Sequence, residues 1–238
     1  MMLLGAIVPL AVLGLIVLGV AMLFRRGGNG SDLGPRNLLR LYLYVASLAG
    51  IIVLVVGLSG LLNAGFATAF GTGFAYGQQS YPQPASVPAC PPNVPPGAPQ
   101  CKPAQVDPAA QSERENERKR ADDLIRGITF TVFGLAFWGA HWAARRGIVG
   151  ADEPQSGLRR GYLMLGTVVF GLATVSLLPM GVYQALAYFI LPPSNDYFRP
   201  GAGEALAAGI ATLPVWLIYL WLVVREFRAV RALPAPTV

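Results

Sequence analysis

The sequence predicts an all-α, polytopic transmembrane helix bundle of five spans, with its N-terminus outside and its C-terminus inside. Three observations lead there. The 238 residues are 54% hydrophobic and 13% charged, where a soluble domain is roughly a quarter charged. The apolar residues gather into five runs without Asp, Glu, Lys or Arg: Met2–Phe24, Leu41–Phe66, Gly127–Ala144, Gly161–Leu191 and Ala205–Val224. Arginines punctuate the ends of those runs. A spanning helix needs about 20 mostly apolar residues, and the remainder of the chain is too short to cover five such helices in water.

The first run is read as an N-terminal anchor span, residues 1–26. A cleaved signal peptide would open with positive charge and carry an apolar core of only about 7–15 residues. Here no charge precedes the run, and Arg25 and Arg26 follow it. Cytoplasmic loops carry an excess of Lys and Arg close to helix ends. Arg36 and Arg40 precede the second run, Arg145 and Arg146 follow the third, and Arg159 and Arg160 precede the fourth. Arg225, Arg228 and Arg231 follow the fifth. Keeping all of these inside gives termini on opposite sides, as five spans require. The net charge of +6 is thus a topology signal. It forms no basic face interleaved with aromatic residues, so nucleic acid is not an expected partner.

The first hairpin, residues 36–146, places residues 71–126 outside the cell. Its Pro-rich loop, 71–111, holds both cysteines, Cys90 and Cys101, in "CPPNVPPGAPQC". In an oxidising compartment such a pair forms a disulfide; the alternative is two free thiols. No Cys or His spacing suggests a metal site. Then comes a charged helix, 112–126. Ser112 and Glu115 fit a capping box, and Glu115–Lys119 and Asp122–Arg126 fit favourable pairs four apart. It should run directly into the third span.

The second hairpin covers 157–228, and 229–238 form a cytoplasmic tail. The segment "REFRAVRALPAPTV" is expected along the inner surface, drawn by anionic lipid. The hairpins share features: Arg40-x-Tyr42 aligns with Arg160-x-Tyr162, Trp138 with Trp216, and His141 with Tyr219. A parallel duplication would set a pseudo-twofold axis along the membrane normal; chance likeness between apolar helices is the competing explanation.

An Arg-x-Tyr-led span, followed by a span carrying Gly-Leu-x-x-Trp and then His141-Trp142, resembles an uncharacterised family of bacterial integral-membrane domains. Members of that family repeat two-helix hairpins and end a helix in an aromatic His-Trp. The resemblance covers 36–146 and, more weakly, 157–228, where Tyr219 and Leu220 stand in place of His-Trp. It implies an architecture in a bacterial cytoplasmic membrane and brings no activity with it.

His141 is the only histidine. It lies between Trp138 and Trp142 and just before Arg145 and Arg146, where amphipathic side chains meet the headgroups. Interfacial anchoring by these residues, together with Arg159 and Arg160, is the preferred reading. A haem or pigment site through His141 is the alternative. No cofactor is expected, and no catalytic residue: acid–base chemistry needs titratable groups held together, and the spans offer none except His141 at the margin of the third. Transport draws on Ser59, Asn63, Thr174, Ser176, Tyr183 and Gln184, with Pro179 and Pro214 able to kink their helices. Gly50, Gly57, Gly60, Gly166 and Gly171 suit close helix packing instead. The sequence therefore points to a non-catalytic structural or accessory subunit. It would contact the lipid bilayer and other membrane subunits, or a second copy of itself. A carrier or channel for a small neutral or apolar solute is the runner-up.

Overall fold

In hydrocarbon a chain must close its backbone hydrogen bonds on itself, so long apolar runs become uninterrupted helices. A computed structural model describes residues 35–79, 108–148, 157–191 and 198–231. The expected first span Met2–Phe24, the Cys90–Cys101 pair and residues 232–238 of the tail lie outside them, as does the Pro-rich loop from residue 80 to residue 107.

Four long helices carry the fold: α1 (Pro35–Phe70), α3 (Pro108–Ile148), α4 (Gly157–Ile190) and α5 (Gly203–Arg231). Each is long and apolar enough to cross a membrane. A single short turn of helix, α2 (Thr72–Tyr76), follows α1. Two short strands, β1 (Gln78–Gln79) and β2 (Phe198–Arg199), pair antiparallel, with Gln78 opposite Arg199 and Gln79 opposite Phe198.

α1 and α3 both begin on a proline, whose fixed φ and missing N–H suit the first helical position. The early start of α3 corrects the expected capping box. The helix opens four residues before Ser112, so Ser112 lies inside it and caps nothing. The charged segment and the third span are nonetheless one unbroken helix, and Asp122 pairs with Arg126 as expected. The C-terminal boundary also differs. α5 continues through Arg231, because no helix breaker occurs between Val224 and Pro234. Arg225 and Arg228 therefore ride on a helix, not on a tail lying flat. Pro179 and Pro214 sit inside α4 and α5, both on exposed faces, and each helix continues through its proline.

The chain separates into two compact units that cut across the two hairpins. Of the described residues, the first unit holds 35–51, 135–148, 157–171 and 215–231; the second holds 52–79, 108–134, 172–191 and 198–214. Both are built on close approaches at glycine. In the first unit, a Cβ on Gly50 would come within 2.9 Å of the Trp138 nitrogen, and one on Gly171 within 2.8 Å of Trp216 Nε1. Gly166 lies against the Tyr219 ring. In the second unit Gly57 meets the Thr131 backbone and Gly60 the Gly127 backbone. There too, Gly181 meets Ala205–Leu206, and Gly209 meets Leu178. Small residues let membrane helices approach until backbone packs on backbone.

In the second unit the link after α1 is shaped by Gly71 (φ 90°) and Gly77 (φ 83°), which bracket α2 in a conformation that only glycine adopts freely. Phe74 between them is buried, and its carbonyl accepts the Ala202 N–H at 2.8 Å. Its ring packs against Phe66, Phe70, Tyr188 and Phe189 at centroid distances of 5.2–6.2 Å.

Adding a methyl at Gly57 drives it into backbone that has nowhere to move. Gly57→Ala should therefore destabilise the protein by about 1–3 kcal/mol. Gly65 has no atom within 4 Å of where a Cβ would lie, so Gly65→Ala should stay within about 1 kcal/mol of the parent. Thermal unfolding in mild detergent checks both.

Candidate functional site

Cross-helix polar contacts occur in both units. All seven residues singled out above, His141, Trp138, Trp142, Arg145, Arg146, Arg159 and Arg160, fall in the first.

His141 is half-buried on α3. Its Nδ1 lies 2.8 Å from the Phe137 carbonyl one turn back, and the Tyr42 hydroxyl lies 3.3 Å from Nε2. A carbonyl only accepts, so the network assigns the proton to Nδ1 and leaves Nε2 to accept from Tyr42. Both ring nitrogens thus have partners within the chain. The Phe137 ring packs at 4.1 Å. Trp138 is held over Gly50, its ring 6.2 Å from that of Trp142. The Arg146 guanidinium sits 3.6 Å above Trp142, and that of Arg145 5.0 Å above Tyr44. These are cation–π contacts, which gain strength as water is removed.

On α4, Arg160 Nε donates to Glu226 Oε1 at 3.2 Å, and Arg159 Nε lies 3.9 Å from Glu226 Oε2. One carboxylate on α5 thereby ties down two arginines of α4. A turn further along, Tyr219 donates to the Tyr162 hydroxyl at 2.5 Å, and Tyr44 packs on Tyr162 at 4.9 Å.

In the second unit a cluster centres on Asp123 of α3. Its Oδ2 accepts from Asn63 Nδ2 at 2.8 Å and from the Tyr76 hydroxyl at 3.0 Å. One carboxylate so joins α1, α2 and α3. Burial, and then the hydrogen bond to Asp123, push the Tyr76 hydroxyl well above its ordinary value of 10.0. It stays a protonated donor at neutral pH. The stability it contributes is complete below pH 10 and is lost progressively as pH rises from there through the raised value. Seven residues before Asp123, Asn116 donates to the Gly77 carbonyl at 2.9 Å. Thr174 donates to Thr212 at 3.1 Å, and Thr212 donates back into its own helix at Ala208 and Gly209.

Asp123 and Glu226 are the residues that sequence reasoning missed. Asp123 sits just outside the apolar run, and Glu226 is one acid among arginines. A signal for Asp123 was present: Asn116, Asp123, Gly127, Thr131 and Gly134 recur every three, four or seven residues, so they share a helix face. Among the described residues no three His, Cys, Asp or Glu side chains converge. What these contacts do is bind helices together and concentrate charge. Comparison with protein-family models, curated proteins and solved structures finds no match.

Removing the Asp123 carboxylate strands the amide of Asn63, which is 5% exposed. Asp123→Ala should cost about 1–3 kcal/mol, whereas Asp122→Ala, at an exposed site, should stay within about 0.5 kcal/mol. Tryptophan fluorescence during thermal unfolding distinguishes the two.

Proposed function

We propose that this chain is a non-catalytic subunit of a membrane complex. It crosses the bilayer five times, N-terminus out and C-terminus in, with Met2–Phe24 as an anchor ahead of two copies of one helical hairpin. The hairpin register supports the duplication. Tyr42 to Tyr162 is a shift of 120 positions and His141 to Tyr219 one of 78; Tyr42 touches His141 in the first hairpin, and Tyr162 touches Tyr219 in the second. The same shifts carry Gly50–Trp138 to within one residue of Gly171–Trp216, and Gly57–Thr131 to within one residue of Leu178–Gly209. They also carry Gly60–Gly127 to within one residue of Gly181–Ala205. The crowding of arginine into the first unit supports placing the residues of that unit inside.

The observation that carries the subunit reading is the bareness of α3. Only 11% of its spanning window is buried within the chain, against 28–33% for the other three helices. Ile128, Val132 and Phe133 are more than half exposed on it. A helix so little covered by the other described helices offers a ready apolar face to a neighbouring subunit. The runner-up, a carrier for a small neutral solute, has one observation in its favour. The side-chain oxygens of Asn63 and Gln184, both in the second unit, are buried without a hydrogen-bond partner.

A photoreactive residue replacing Phe133 tests the subunit reading in native membranes. It should yield a discrete protein adduct, while the same probe at Val175 on α4 labels lipid. Lipid adducts alone at both positions would defeat the proposal. For topology, Glu115→Cys should react with an impermeant thiol reagent in intact cells, and Arg228→Cys only after permeabilisation.

A further inference from the structure

Charge is divided unequally between the two units. Among the described side chains the first unit carries seven arginines against a single carboxylate, Glu226; the second carries five basic and six acidic residues. Glu226 is already shared by Arg159 and Arg160, and Arg40 Nε is buried with no acceptor. Counting Asp152 and Glu153 of the connecting segment still leaves the arginines in excess. Among the described side chains of this unit, arginines far outnumber carboxylates.

The same unit holds a groove between α4 and α5 with room for about 60 Å³. Leu163, Met164, Val223 and Phe227 line it, and Arg160 and Glu226 stand at its polar end. Met164 and Phe227 are about half exposed, so the groove opens on the apolar flank of the helices. Arg160 has five N–H donors and gives one to Glu226; its side chain is 45% exposed. Glu226, at 13% exposure, holds the guanidinium at the mouth of the groove.

We propose that this groove is a site for an anionic phospholipid. An acyl chain lies along Leu163, Met164, Val223 and Phe227, and the phosphate takes the remaining donors of Arg160. A guanidinium offers planar, paired hydrogen bonds to phosphate oxygens, and basic pockets between membrane helices select anionic headgroups. A zwitterionic lipid would fill the same apolar wall yet bring a second cation to a surface already rich in them. The site needs no partner protein, so it stands or falls apart from the subunit reading.

The test uses the full chain in mild detergent, with phosphatidylglycerol and phosphatidylcholine of identical acyl chains. Native mass spectrometry and thermal unfolding should show that phosphatidylglycerol binds and stabilises, with phosphatidylcholine at least fivefold weaker, about the worth of one basic residue near an anionic lipid. Arg160→Gln should weaken phosphatidylglycerol by about fivefold. Met164→Trp, which fills the groove from an exposed position, should do the same without touching a charge. Equal binding of the two lipids, or stabilisation by inorganic phosphate alone, would overturn the site. So would unchanged binding in Met164→Trp. An equal loss in Arg228→Gln would reduce the effect to diffuse charge and overturn it as well.

Discussion

The structure depends on one constraint: its helices must close their backbone hydrogen bonds internally while presenting apolar side chains outward. α3 shows this most plainly. The face turned toward the rest of the chain carries Asn116, Asp123, Gly127, Thr131 and Gly134, while Ile128, Val132 and Phe133 point away. In water that arrangement would be inverted, because burying each large apolar side chain is worth roughly 1.5–3 kcal/mol. Surrounded by hydrocarbon, the gain vanishes, and what remains to hold helices together is close packing and polar contact.

The internal contacts follow from that. Gly57 on the Thr131 backbone and Gly60 on Gly127 bring helix axes together where no large side chain intervenes. Hydroxyls are satisfied locally: Ser47, Thr68, Thr129 and Thr167 each donate to the carbonyl four residues back. That leaves few side chains for cross-helix bonds, and those few gain importance. Asp123 serves two donors and Glu226 two arginines. In both cases a carboxylate that is only partly exposed is tolerated because its charge is matched, by two hydrogen-bond donors at Asp123 and by two guanidinium groups at Glu226.

The functional reading rests on surfaces more than on a cleft. Among the described residues α3 leaves most of its span uncovered, and the arginine-rich unit sets an apolar groove beside an exposed guanidinium. His141, the most conspicuous residue of the sequence, has both nitrogens engaged by Phe137 and Tyr42. Its neighbours Trp142 and Arg146 stack on one another. These contacts suit a boundary between hydrocarbon and water, where an aromatic body and a polar tip are both accommodated.

The sequence by itself determined that the chain is helical and membrane-spanning, and where four of its long helices lie. Those properties are set by the length and apolarity of a continuous run, and each run carries that information within itself. It also aligned Tyr42 with Tyr162 and His141 with Tyr219 as matched positions in two similar stretches, but that Tyr42 meets His141 and Tyr162 meets Tyr219 is seen only in the structure. Helix ends were less legible: Pro108 starts α3 ahead of the expected cap, and α5 runs on to Arg231, because a helix already nucleated extends until a breaker stops it. Only the tertiary structure decided that Asn63 and Tyr76 meet at Asp123, that Glu226 takes two arginines, and that a groove opens beside Arg160. Those contacts join residues tens of positions apart, and which of them meet is set by the rotation of each helix about its own axis, a quantity that no single run encodes.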